Sequence, residues 1–490
     1  MKYRSTRSDF SCNSLQAVLQ GLSPDGGLFI SPEILDKNFD WKSVIGLSTL
    51  DMASKILKHL LPEFDNMDDL VTKAYTNKFQ TADLTPVVKV GSNYVLELFR
   101  GPTSAFKDVA LSMLPYLITA AKKQTKATDE TIILTATSGD TGKAAMEGFH
   151  DVPGTRIIVF YPHGGVSPIQ KAQMQTQEGC NVSVCAVKGN FDDCQTAVKQ
   201  TFAKINSMGI LENANKTLSS ANSINIGRLA PQVVYYFKAY SDLIESKRIC
   251  LGDKVDFVVP SGNFGDILAG YFAKLMGLPV RSLICASNEN NVLTDFLNSG
   301  TYDKQRPFYR TSSPSMDILV SSNLERLLFL ACGCNPVQVE QWMKDLNTKG
   351  QFTVDEQTLA NIKQSFNAYY CTEKDTISTI AKVYSQDNYL CDPHTAVGFK
   401  AAEDYKKQVN DDVPIIVLST ASPYKFPAPV SQAIVLADTG DPFTQLDAIY
   451  QKTGIEIPKN LSSLKSKKTL HNDVIERDEI LNYVLNKLGI

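Results

Sequence analysis

Between residues 94 and 419, short apolar runs alternate with segments of helical spacing, and this alternation restricts the fold more than any other feature of the chain. The runs at 94–99, 131–136, 156–161, 182–187, 255–259, 280–286 and 414–419 have the length of strands, and they carry apolar residues continuously rather than at every second position. Helical spacing fills the intervals, as at 109–121, 195–205 and 229–241. Strands without a polar face that alternate with helices build a mostly parallel sheet, covered on both sides. The expectation is therefore an α/β protein. Residues 1–82 read as a helix-leaning N-terminal cap, with helices at 14–19, 47–61 and 67–79 and a turn at Pro24-Asp25-Gly26-Gly27. Residues 83–435 read as the principal domain, with a smaller α/β subdomain at about 130–240 and a polar helical insertion at about 300–380. Residues 436–490 read as a C-terminal helical extension, in which a Lys-rich connection leads to an amphipathic helix at 473–488.

Three strand-to-helix junctions carry the candidate chemistry. Lys107, in Phe106-Lys107-Asp108, sits at the first turn of the helix expected at 109–121. The partial positive charge of a helix N-terminus disfavours an ammonium there and predicts a lowered pKa. Only the free amine attacks an aldehyde to form a Schiff base. Two glycine loops, Thr137-Ser138-Gly139-Asp140-Thr141-Gly142 and Pro260-Ser261-Gly262-Asn263-Phe264-Gly265-Asp266, each follow a strand and open a helix. Small residues at such a turn let backbone N–H groups approach an anion. Ligands of open parallel sheets bind beyond the carboxyl ends of the strands, where all three junctions lie.

Other classes fit less well. A net charge of −3 argues against a nucleic-acid or membrane partner. No run reaches the ~18 apolar residues of a membrane span, and the basic start Met1-Lys2-Tyr3-Arg4 lacks the apolar stretch of a secretory signal. The ten cysteines show no metal-ligand spacing; no metal is expected, and reduced thiols suit a cytoplasmic protein. Gly139-x-x-Gly142-Lys143-Ala144 is too short for a P-loop, and neither G-x-G-x-x-G nor G-x-S-x-G follows a strand. A phosphate-bearing cofactor whose own aldehyde takes a lysine fits these residues better than ATP or NAD, and pyridoxal 5′-phosphate is such a cofactor.

The chain resembles the threonine synthases, pyridoxal-phosphate enzymes of the tryptophan-synthase-β fold type. The resemblance rests on Ser5-Thr6-Arg7, on Gly21 to Phe29, and on Glu97-Leu98-Phe99-Arg100-Gly101-Pro102-Thr103-Ser104-Ala105-Phe106-Lys107-Asp108. It continues through Thr135 to Gly142, Ala221-Asn222-Ser223-Ile224-Asn225-Ile226-Gly227-Arg228, Pro260 to Asp266, Asp392-Pro393-His394-Thr395-Ala396-Val397 and Thr420-Ala421-Ser422-Pro423-Tyr424-Lys425-Phe426. It implies two open, mostly parallel sheets flanked by helices (pyridoxal-phosphate fold type II), with an N-terminal helical cap and a C-terminal helical tail. It further implies that Lys107, beside Phe106, binds the cofactor aldehyde, and that Gly262, Asn263, Phe264, Gly265 and Asp266 hold its phosphate. Thr420 would meet the pyridine nitrogen, Ser138 and Thr141 the substrate carboxylate, and Ser223 and Arg228 the substrate phosphate. Asp140, also on the substrate side, stands where many relatives of the wider fold carry Asn facing the cofactor's 3′-oxygen, and a carboxylate there would repel a phenolate.

The implied reaction converts O-phospho-L-homoserine and water to L-threonine and phosphate by γ-elimination and β-addition, in a monomer or homodimer. Lyases and dehydratases of the same fold, and a non-catalytic relative that only binds the cofactor, are the alternatives. Arg100 stands where the family often has His, and Ser422 and Tyr424 depart from its usual late loop. His394 reads as a hydrogen-bonded core residue.

Overall fold

The computed structural model describes residues 1–36, 38–189 and 191–490. Each apolar run expected to be a strand is one, with ends shifted by a few residues at most. The larger sheet has six strands, in the spatial order Phe366–Tyr370, Val280–Ser287, Val255–Pro260, Ile415–Ser419, Asn93–Glu97 and Val87–Val90. All neighbours run parallel except Val87–Val90, which pairs antiparallel with Asn93–Glu97. The smaller sheet has five parallel strands, in the order Asp473–Ile475, Val182–Val187, Thr155–Pro162, Glu130–Ala136 and Lys216–Ser219. Val255–Pro260 and Ile415–Ser419 are buried at every position, which is why they read as unbroken apolar runs.

Helix Lys107–Thr125 ties these parts together. It packs on Ser14–Gln20, Met67–Tyr75, Asp140–Phe149 and Ile226–Leu229. Leu111, Met113, Leu114, Leu117 and Ile118 are all fully buried along it, each contributing about 1.5–3 kcal/mol of burial. Its approach to helix Asp140–Phe149 is so close that a Cβ on Gly148 would lie 2.1 Å from the carbonyl oxygen of Leu111.

Several sequence expectations change. The N-terminal region is not only helical: Tyr3–Ser5 pairs with Ser11–Cys12 and Phe29–Ile30 in a small antiparallel sheet. Strands of two or three residues show no periodicity. Residues 300–380 are not merely a helical insertion. Phe366–Tyr370 forms an edge of the large sheet, and Thr301–Asp303 pairs with Gln351–Thr353. The edge strand alternates buried and half-exposed positions, so it lacks an apolar run. In the tail, 473–475 is a strand on the small sheet rather than the start of a helix, and the helix is Ile480–Leu488.

Candidate active site

The strands deliver their chemistry at their carboxyl ends. Glu130–Ala136 leads to Gly139, Val255–Pro260 to Gly262, and Ile415–Ser419 to Thr420. Lys107 opens its helix, and the chain before it is fastened to the loop carrying Thr420. Ala105 bridges to Ala421, Phe106 N donates to Thr420 O at 2.8 Å, and Ser422 N donates to Ser104 O at 3.1 Å. Behind the lysine, Thr103 donates its N–H (2.8 Å) and its hydroxyl (2.5 Å) to the buried carboxylate of Asp108. Burial raises that carboxyl to about 6 against these bonds.

Lys107, Asp140 and Lys425 form a charged row inside the protein. Lys107 Nζ is 3.9 Å from Asp140 Oδ2, and Lys425 Nζ is 2.6 Å from Asp140 Oδ1. Gln170 Nε2 also donates to Oδ1 at 2.8 Å, and Ser315 Oγ lies 3.4 Å from Oδ2. Gln170 lies over Gly139, where a Cβ would come within 2.4 Å of its amide and where φ is +126°. Burial alone would raise the Asp140 carboxyl, but Lys425 and Lys107 hold it well below the ordinary carboxylate range. Lys107 is pulled down to about 8. The first cause is burial rather than the helix terminus expected from sequence; Asp140 opposes it, and Arg228 and Lys425 reinforce it. The charge of Asp140, a repulsive element on the sequence reading, is thus balanced by two lysines, one of which the sequence reading did not single out.

Two anion cradles face this row. In the first, the N–H groups of Gly262, Asn263, Phe264 and Gly265 donate to no protein acceptor among the described residues. They precede and open helix Gly265–Leu275. Phe264 adopts the left-handed conformation, φ +61°, that gathers such donors into a concave nest. A Cβ on Gly262 would sit 2.9 Å from Ser315 O, so this wall admits only glycine without a shift. The Asp266 carboxyl is held by two tyrosines: Tyr235 (2.5 Å) and Tyr236 (2.9 Å) donate to its Oδ1, and burial raises it to about 6. The second cradle is Arg228, a buried guanidinium with no carboxylate partner among the described residues. Its Nη1 donates to Ala221 O at 2.8 Å, its Nη2 lies 3.5 Å from Thr141 Oγ1, and its Nε has no partner. Burial lowers its pKa to about 10.

One cavity is lined by Phe106, Lys107, Ser138, Asp140, Thr141, Ser223, Arg228, the loop 262–266 and Thr420. Every site residue singled out from sequence therefore reaches the same space. Ser315, Met316 and His394 also line it. Ser315 and Met316 come from the segment 300–380, which showed no readable chemistry because a loop of small and apolar residues has no motif. His394 is hydrogen-bonded, as expected: its Nδ1 is 2.7 Å from Asp392 Oδ1, and its Nε2 accepts the N–H of Ser315 at 3.2 Å. It is more than a core residue, because it also borders the cavity. Arg100, Ser422 and Tyr424 do not line it; Arg100 pairs with Glu97 at 2.5 Å.

The residues present suit pyridoxal phosphate: an amine of lowered pKa, a nest of unpaired N–H donors for a phosphate, and a hydroxyl, Thr420, beside them. Among the described residues there is no cluster of His, Cys, Asp or Glu fit to hold a metal, and no helix is long and apolar enough to cross a membrane.

Comparison with known proteins agrees with this geometry. Residues 83–421 match the family described as pyridoxal-phosphate dependent enzyme, residues 2–75 the threonine synthase N terminus, and residues 395–478 the threonine synthase C-terminal family. Threonine synthase of Saccharomyces cerevisiae is 39% identical over 467 residues, covering 88% of this chain and 89% of that one. Human threonine synthase-like 1 is 36% identical over 477 residues, covering 94% of this chain; the chain spans 62% of that relative's length. The crystal structure of PLP-bound threonine synthase from Brucella melitensis superposes with a TM-score of 0.85 at 37% identity, covering 100% of both chains. The yeast threonine synthase structure gives 0.86 at 35% identity, covering 100% of this chain and 98% of that one. The chain belongs to the threonine synthase family of pyridoxal-phosphate-dependent enzymes.

Proposed function

We propose that this chain converts O-phospho-L-homoserine and water to L-threonine and phosphate. The observation that carries the reading is Arg228. A buried guanidinium without a carboxylate partner is costly to the fold, and it borders the same cavity as a lysine of lowered pKa and a nest of N–H donors. Such a cavity suits two phosphates, one on the cofactor and one on the substrate.

Pyridoxal phosphate, when bound, supplies an electron sink for the carbon acids of the substrate. The residues of the chain do the rest. The N–H groups of residues 262–266 hold the cofactor phosphate, and the hydroxyl of Thr420 meets the pyridine nitrogen. Ser138 and Thr141 hold the substrate carboxylate, which fixes Cα relative to Lys107. Ser223 and Arg228 hold the departing phosphate, where donors strengthen as negative charge grows. Lys107 Nζ, at about 8, can both take and return a proton near neutral pH, as a general base and acid must. Ten free thiols support a reducing compartment such as the cytoplasm.

Incubation of the protein with pyridoxal phosphate and O-phospho-L-homoserine tests the reading. L-Threonine and phosphate in equal amounts are expected. Phosphate with a 2-oxo acid and no threonine would make the chain a phospho-lyase instead, and no turnover would make it a binding relative.

A further inference from the structure

Two stretches that carry the family resemblance, Ser5-Thr6-Arg7 and Leu28-Phe29, do not line the cavity. Three of their residues, Thr6, Arg7 and Phe29, meet a single helical turn, Asn323-Leu324-Glu325-Arg326. Glu325 accepts from Arg7 Nε and Nη2, both at 2.8 Å, and from Thr6 Oγ1 at 2.5 Å. Arg326, with no exposed surface, donates from Nε to Phe29 O at 2.9 Å. The other end of the same guanidinium reaches the substrate-side loop: Nη2 donates to Ile224 O at 2.5 Å, while Nη1 donates to Asn323 Oδ1 at 2.5 Å and to Ser223 O at 3.4 Å. Asn323 in turn donates its N–H and its Nδ2 to Asn263 O, each at 3.1 Å. One turn thus joins the N-terminal sheet, the loop of Ser223 and the loop of Asn263. A second tether runs beside it, where Asn225 Nδ2 donates to Val18 O at 2.9 Å.

A buried charged group is a poor source of stability, since an apolar side chain of like volume usually serves as well. What an apolar side chain cannot do is span carbonyls on separate segments with one rigid planar fork. We propose that Arg326 is a positioning residue for the substrate's phosphate: it fixes the loop of residues 223–228 at a set distance from the loop of residues 262–266, with the N-terminal sheet as its support. This rests on the roles given above to Ser223, Arg228 and residues 262–266. It gives the N-terminal strands a part in the reaction although none of them touches the cavity.

The test uses the full chain loaded with pyridoxal phosphate, as wild type, Arg326→Lys and Arg7→Met. Three quantities are read: KM and kcat for O-phospho-L-homoserine, calorimetric affinity for the phosphonate isostere of that substrate, and the unfolding midpoint. Lysine keeps the charge but cannot span the carbonyls, so Arg326→Lys should raise KM and weaken the phosphonate by about tenfold or more. Arg7→Met, remote from the cavity and partly exposed, should raise KM by a smaller factor, about two- to fivefold, and it carries the test if Arg326→Lys does not fold. A lower midpoint with unchanged KM and phosphonate affinity in the variants would show a structural role only and overturn the proposal. A wild type that binds no phosphonate and makes no threonine would instead overturn the functional reading on which the proposal rests.

Discussion

Lys425 Nζ lies 2.6 Å from Asp140 Oδ1, and both side chains are shut away from solvent. Lys107 approaches the other carboxylate oxygen, at 3.9 Å. Both lysines are drawn to one carboxylate, and the charge of Lys425 itself opposes the ammonium form of Lys107. The groups facing Lys107 are Asp140 and Asp266, which favour its ammonium form, and Arg228 and Lys425, which oppose it. Replacing Lys425 with Met leaves Lys107 as the remaining cation beside Asp140. The pH at which cofactor uptake is half-maximal should then rise by about one unit, equivalent to about 1.4 kcal/mol. An unmoved profile would show that Lys425 only packs.

The wild-type profile follows from the same row of charges. Burial lowers Lys107 from 10.5 to about 8. A lowered pKa enlarges the free-base fraction at neutral pH, and only that fraction attacks an aldehyde. Capture of pyridoxal phosphate by the unloaded protein, followed by its visible absorbance, should climb through about pH 8 and flatten above it. An ordinary lysine would still be climbing near 10.5.

Arg228 should trade stability against binding. Its charge is buried without a carboxylate partner, and Nε makes no hydrogen bond. Arg228→Met removes that penalty and loses the bond to Ala221 O. The unloaded fold should change by no more than about 1 kcal/mol in denaturant titration. Removing the buried partner of a charged ligand group costs several kcal/mol, so affinity for phosphohomoserine should fall by about 100-fold.

Gly148 tests the packing that sets the height of Lys107. A Cβ there would overlap Leu111 O at 2.1 Å, in backbone that cannot move like a side chain. Gly148→Ala should destabilise the fold by about 2–3 kcal/mol. It should also lower cofactor retention on dialysis, because Leu111 lies one turn along the helix that begins at Lys107.

How much of this was legible in the sequence depended on the physical signal each part carries. Strands buried on both faces, such as Val255–Pro260 and Ile415–Ser419, announce themselves as unbroken apolar runs. The edge strand Phe366–Tyr370 and the tail strand Asp473–Ile475 do not, because one side of each meets solvent or a single neighbour. Lys107, the two glycine loops and Arg228 were legible as chemistry at strand ends or as motif. Lys425 was visible within a recognisable loop, but its partner Asp140 lies far away in sequence, and no local pattern encodes that meeting. Ser315 and Arg326 come from the segment that reads as a helical insertion. Their roles arise from tertiary contacts with His394, Phe29 and Ser223, which periodicity cannot report. The sequence predicts the lowered Lys107 pKa from a helix start, which can be seen in the chain, whereas its larger cause, burial, is a property of the packed molecule.

In the proposed function, the amine of Lys107 meets the aldehyde of a cofactor whose phosphate is held by residues 262–266. Borohydride reduction of the loaded protein, followed by peptide mapping, tests it most directly. The pyridoxyl label should fall on the peptide containing Phe106-Lys107-Asp108, and Lys107→Ala should abolish it. A label on Lys425 or Lys143, or one that persists in Lys107→Ala, would take the cofactor's aldehyde away from Lys107 and overturn the proposed function.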